Sequence, residues 1–192
     1  MSLRSTDHQW GSVAKFFHWI MALAILGNGI FGLCMDLAHS PMQKIGWFAL
    51  HKSIGLTVLA LFVLRLLWRA ADRRPLDEPG PRWQQLAAHA VHGVLYLLIL
   101  ALPLSGWWFN SLRGFPLQYF KQFNLPALAS KNDDLAHTAI AVHEYLFYAL
   151  LLVLLAHVGA ALKHHVFDND NVLRRMLPFG KPRRPTSQGD IP

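Results

Sequence analysis

The sequence predicts an all-α fold, an integral membrane four-helix bundle with both termini on the cytoplasmic side. Hydrophobic residues make up 53% of the 192-residue chain and charged residues only 15%, whereas soluble domains carry about a quarter charged. Mean hydropathy is +0.26. The apolar residues gather in four runs, residues 16–35, 47–68, 86–109 and 139–162. Each is about 20 residues or longer, enough for a helix to cross a hydrocarbon core of roughly 30 Å. The cations are also sorted by side. Arg4, Lys15, Arg65, Arg69, Arg73, Arg74, Arg82, Lys163, Arg174, Arg175, Lys181, Arg183 and Arg184 fall on one side, thirteen of the 18 Lys and Arg. Lys44, Lys52, Arg113, Lys121 and Lys131 fall on the other. The positive-inside rule then puts both termini in the cytoplasm. The net charge of +7 is accordingly a topology signal with anionic membrane lipid as its partner, and nucleic acid is not expected.

Each run reads as helix because a lone segment in lipid must satisfy its own backbone hydrogen bonds. A soluble bundle would need charges every turn, and residues 145–162 have none. The first run is expected to persist as a span, since it is long and lacks a small-residue cleavage site. Residues 73–83 (RRPLDEPGPRW) form a Pro-rich inner connection with turn chemistry at Pro79, Gly80 and Pro81. The third run holds Pro103, expected to kink it or loosen one turn. The outer loop, residues 110–138, has Trp-, Phe- and Tyr-rich edges suited to the interface, and a short helix lying on the membrane is expected in it. Residues 1–168 are read as one membrane domain without internal repeat. Residues 169–192 are read as a basic cytoplasmic tail whose last dozen residues are disordered.

The single cysteine, Cys34, allows no intramolecular disulfide, and no C-x-x-C-H occurs, so haem is not attached covalently in the c-type manner. The histidines carry the chemistry. With alternating spans, His18 lies near the inner end of the first, His51 near the outer end of the second, and His89 and His92 at the inner end of the third. His143 is outer and His157 inner on the fourth. Fourteen helical residues turn about 1400°, within roughly 40° of four full turns, and rise about 21 Å. His143 and His157 therefore share one face at two heights.

Polar groups at membrane depth are costly and mark function. A histidine bonded to a backbone carbonyl accounts for any one of these, but poorly for five or six in two layers. Zinc would want four ligands with Cys or carboxylate among them, or an open site. Nearby, only Glu144 supplies a carboxylate within a span, about 100° off the His143 face. His51 and His143 are the only outer-layer histidines within spans, and two facing imidazoles are what a bis-histidine haem needs. In the inner layer His157 faces three contenders, His18, His89 and His92, and spacing does not choose among them.

The elements KFFHW, LHKSIG, AAHAVHGVLYLLILALPLSG and VHEYL…LLAHVGAALKHH, with the basic tail HHVFDNDNVLRRMLP, together resemble the bacterial cytochrome b-561 family over nearly the whole chain. The resemblance implies a small four-helix cytochrome of the bacterial inner membrane with two b haems and ubiquinone as substrate or ligand. It pairs His51 with His143 on the outer haem and His18 with His157 on the inner one, leaving His89 and His92 in support. It further implies oxidation of superoxide at the outer face.

The leading expectation is electron transfer between a donor and the quinone pool. Anionic propionates call for cations, with Arg65, Arg69 and Arg74 as inner candidates and Lys52 and Arg113 as outer ones; snorkelling to lipid phosphate accounts equally well for Arg65 and Arg69. Gly27, Gly29, Gly32 and Gly55 allow a flat macrocycle, or simply a neighbouring helix, to approach. Lys44, Lys52, Arg113, Lys121 and Lys131 form an outer cationic surface fit to steer an anion, opposed locally by Asp133 and Asp134. A second expectation is a haem-bearing anchor subunit of a larger dehydrogenase or hydrogenase, with a soluble redox partner docking on the outer loop. A third is a haem-free, histidine-lined transporter. His164 and His165 are read as interfacial.

Overall fold

A computed structural model describes residues 2–180. Four long helices follow one another: α1 (Ser12–Leu33), α2 (Pro41–Ala71), α3 (Arg82–Leu112) and α4 (Asp133–Val166). All four are long and apolar enough to cross a membrane. Most ends lie beyond the apolar runs because the capping residues do. The Ser40 hydroxyl accepts from the Gln43 N–H at 3.2 Å, with Pro41 at the first helical position. The Asn132 side chain accepts from the Leu135 N–H at 3.0 Å. The 31 residues of α2 thus span about 46 Å, enough for core and headgroup layers. Helix α3 runs unbroken through Pro103.

α3 and α4 are the most extensively packed pair, and small Ala136 and Ala139 lie fully buried against Leu112 near their outer ends. Midway along the bundle, Leu95, Leu98 and Leu150 form an apolar layer joined by Ile25 of α1. Leu150 stands seven residues from both His143 and His157, so this layer separates the two histidine levels.

The outer loop forms a β-hairpin where the sequence suggests a short interfacial helix. β1 (Leu117–Tyr119) pairs antiparallel with β2 (Phe123–Leu125). Pro116 and Pro126 flank it, each lacking the N–H that a continuing helix needs. Phe120 and Lys121 turn the chain with φ of 44° and 62°, a left-handed conformation outside any right-handed helix. The hairpin is held down by Ser53 of α2, whose buried hydroxyl accepts from the Phe120 N–H at 2.9 Å and donates to the Ala49 carbonyl at 2.8 Å. The Tyr119 and Thr57 hydroxyls meet at 3.2 Å. The Trp107 indole N–H donates to the Pro126 carbonyl, and the Leu128 N–H to the Ser111 hydroxyl, both at 3.0 Å.

At the opposite end the N-terminal segment, the α2–α3 connection and the start of the tail meet. The Ser5 hydroxyl donates to Asp72 at 2.6 Å. Helix α5 (Val172–Met176) is followed by carbonyls that accept from the Lys15 ammonium (Leu177, 3.0 Å) and, from Met176 itself, from the Trp19 indole at 2.9 Å. Arg175 pairs with Glu78 at 3.0 Å. Both ends of the described segment therefore lie at one end of the bundle, with the cation-rich connection. The last dozen residues, expected to be disordered, lie outside the described residues.

Ser53→Ala removes the bond from the Phe120 N–H and strands that donor, which costs about 1–3 kcal/mol. Faster amide exchange over residues 117–125 and a lowered unfolding midpoint in detergent are expected; unchanged exchange there would show that Ser53 does not hold the hairpin.

Candidate haem sites

The histidine group at the hairpin end of the bundle, termed outer after the expected topology, is built from all four long helices. α2 and α4 carry His51 and His143, whose rings face each other with centroids 6.3 Å apart and planes at 82°. Each ring rests against a glycine of the preceding helix. A Cβ at Gly32 of α1 would lie 3.1 Å from His51 Cε1, and one at Gly106 of α3 would lie 3.1 Å from His143 Cε1. Those approaches are tight enough that a side chain at either glycine would have to displace the ring. His143 Nδ1 lies 3.1 Å from the Leu102 carbonyl oxygen and 3.0 Å from Ser105 Oγ. A carbonyl only accepts, so the proton sits on Nδ1 and Nε2 is bare. Asn28 donates from Nδ2 to the His51 carbonyl at 3.2 Å, while His51 Nδ1 is buried without a partner.

The inner group brings three histidines together. His18 of α1 and His157 of α4 have centroids 6.3 Å apart at 59°, and His92 of α3 lies 5.3 Å from His157 at 67°. Arg65 Nη2 reaches His18 Nδ1 at 3.4 Å. A guanidinium only donates, so that contact needs Nδ1 bare and the His18 proton on Nε2; metal binding through Nε2 requires Arg65 to release the ring. Arg65 and Arg69 lie over the Tyr96 ring, 5.8 and 5.4 Å from its centroid, and no carboxylate pairs with either among the described residues.

His89 is not brought into this group. It is exposed, with Nδ1 donating to the Gln85 carbonyl at 2.8 Å and Nε2 3.7 Å from Asp77. Arg74 is exposed in the connection after α2. Lys52 donates to the Asn110 side-chain oxygen at 3.0 Å. Of the four glycines singled out by sequence, Gly32 meets the His51 ring, Gly29 meets Phe147, Gly55 backs Asn28, and Gly27 faces open space. Gly106, Ser105, Asn28 and Tyr96 escaped the sequence reading. Each had a signal: a Ser-Gly pair or a lone amide inside a span, and an aromatic one turn after His92.

The ring spacings test the fit to haem. A ring nitrogen bonds a metal at about 2.0–2.1 Å and lies roughly 1.2 Å from its own ring centre, so axial rings sharing one ion are centred about 6.4 Å apart. The pair His51 with His143 and the pair His18 with His157 both match; His92 with His157 falls about 1 Å short. The bare Nε2 of His143 is the lone pair that iron needs. A separate group at the end of α4, His164 with Asp168 and Asp170, already holds an ammonium, with Lys163 Nζ 2.6 Å from Asp168.

Gly106→Leu should push the His143 ring aside and lower haem content per chain. Gly93→Leu, where nothing lies within 4 Å of the added carbon, should not. Equal haem in both, by reduced pyridine spectra, would remove Gly106 from the site.

A family model described as prokaryotic cytochrome b561 matches residues 9–179. Cytochrome b561 homolog 2 of Escherichia coli is 35% identical, over 92% of this chain and 95% of its own length. The probable superoxide oxidase CybB of Yersinia pestis is 33% identical, over 84% and 91%. Cytochrome b562 of Cereibacter sphaeroides is 28% identical, over 83% and 89%. With four spans, facing imidazoles and relatives matched almost end to end, the chain belongs to the prokaryotic cytochrome b561 family, bacterial membrane proteins that bind b-type haem and serve electron transport.

Proposed function

We propose that this chain is a dihaem cytochrome of the inner membrane that takes electrons from superoxide at its outer face and delivers them to ubiquinone. His51 and His143 would hold the outer haem and His18 and His157 the inner one, with both termini in the cytoplasm. The observation that carries this is the recurrence, at two heights, of imidazole pairs from different helices at the spacing an iron requires. Haem b supplies reversible one-electron redox chemistry at each site. Held by two imidazoles at each site, it would suit electron transfer rather than oxygen activation.

The protein's own residues do the rest. Arg65 and Arg69 have no carboxylate partner among the described residues and would supply counter-charge to the inner haem's propionates; releasing His18 frees the Arg65 fork for that purpose. The leucine layer of Leu95, Leu98 and Leu150 keeps water from between the two levels. The net reaction balances: two superoxide ions and one quinone, with two protons, give two dioxygen molecules and one quinol.

The superoxide assignment draws on the Yersinia pestis relative's name and on Lys52. Among the other outer cations, Lys44 pairs with Asp36 at 2.8 Å, and that bond holds the Asp36 carboxyl below its usual range. Arg113 and Lys131 both meet Asp133. Lys52 and Lys121 pair with no carboxylate among the described residues, and of these two Lys52, which donates to the neutral Asn110 amide, stands next to His51.

Anaerobic redox titration with haem quantitation should find two b haems per chain, and a single haem would refute the proposal. His51→Ala, His143→Ala and His18→Ala should each lose one haem, while His92→Ala keeps both. Loss in His92→Ala with retention in His18→Ala would move the inner ligand to α3. Lys52→Gln should slow superoxide oxidation about 3–10-fold at low ionic strength and less at high salt. A salt-independent rate in both proteins would remove Lys52 from donor attraction.

A further inference from the structure

We infer that Ser105, together with the main-chain carbonyl of Leu102, is a positioning device for His143 that fixes its tautomer and lowers the reduction potential of the outer haem. The inference rests on the proposed pairing of His51 with His143.

The geometry leaves little choice of hydrogen positions. The Ser105 hydroxyl bonds back to the Leu102 carbonyl at 2.7 Å, the i−3 bond that serine makes within a helix. Its one proton is thereby committed, so the hydroxyl offers His143 only a lone pair. The Leu102 carbonyl oxygen, which takes that hydroxyl proton, also lies within reach of the ring. Nδ1 of His143 therefore faces two acceptors, at 3.0 and 3.1 Å, and no donor. The carbonyl cannot donate, so it puts the proton on Nδ1, and the committed hydroxyl is placed to share it. Ser105 is only 7% exposed, so water does not compete, and in that low-dielectric surrounding the chain from Nδ1–H through hydroxyl to carbonyl is mutually strengthening.

The electronic consequence has a definite sign. An imidazole that donates strongly from Nδ1 gains basicity at Nε2, and a more basic axial ligand stabilises ferric over ferrous iron. The potential of the haem it holds is lowered. Gly106, the next residue, supplies the room that brings the ring within reach.

The device belongs to one ligand alone. His51, the partner ring, has a buried Nδ1 without a hydrogen bond; Asn28 grips its backbone carbonyl rather than its ring. His18 meets the Arg65 guanidinium, a donor. A change at Ser105 should therefore be felt at one haem and not at the other.

The test is an anaerobic redox titration, with electron paramagnetic resonance of the oxidised state, of the full chain carrying Ser105→Ala, Ser105→Cys or Ser105→Thr. Ser105→Ala leaves Leu102 as the single acceptor. It should retain both haems while one midpoint potential rises, the low-spin signal of that same haem shifts, and the other haem is unmoved. Ser105→Cys, a weaker acceptor of similar size, should move the same haem less far, which keeps the test open if the alanine variant is unstable. Ser105→Thr, which keeps the hydroxyl, should restore the original values. Two haems with unaltered potentials and signals in both the alanine and cysteine variants would overturn the inference and leave the pairing intact. Wild-type protein that titrates as one haem, or that keeps two haems in His143→Ala, would instead overturn the pairing, and the inference with it.

Discussion

A neutral imidazole inside a bilayer has to be partnered, because hydrocarbon offers it nothing, and α4 carries two such rings on one face, fourteen residues apart. Much of the bundle follows from partnering them. Each level brings histidine from another helix against it: His51 above, and His18 and His92 below. The upper level also needs small residues beside its rings, and Gly32 and Gly106 occupy equivalent positions on the two flanking helices. Between the levels the same face of α4 must turn apolar, and Leu150, equidistant from both histidines, lies in the buried layer with Leu95 and Leu98.

The parts legible in the sequence are those governed by periodicity and bulk composition. Four apolar runs marked the spans, and their alternation assigned a height to the six histidines within them. The helix ends were displaced because Ser40 and Asn132 cap in the polar margin, where hydropathy carries no signal. The hairpin was invisible for a related reason: strands of three residues are too short to show alternation, and its turn uses Phe120 and Lys121 at positive φ in place of glycine. His89 and His92 share a height, so only helix rotation separates the one exposed beside Asp77 from the one packed on His157. The seat under His143 was hidden because half of it is a main-chain carbonyl, which any residue at position 102 would supply.

The two ends of the bundle differ electrostatically, and on the proposed pairing the difference has a direction. At the inner level Arg65 and Arg69 share the Tyr96 ring without a carboxylate among the described residues. Two guanidiniums can neutralise two propionates. At the outer level Lys52 is the unpaired cation beside the ligands, which leaves a comparable pair of propionates half compensated. Positive potential stabilises the state holding the extra electron, so this contrast raises the inner potential relative to the outer. The Ser105 and Leu102 acceptors act on the outer level in the complementary sense, favouring its oxidised form through His143. Both biases draw an electron from the outer face towards the inner one. A donor at the outer surface and an acceptor at the inner level is therefore the arrangement these residues favour, and the reverse flow would run against two independent features of the bundle.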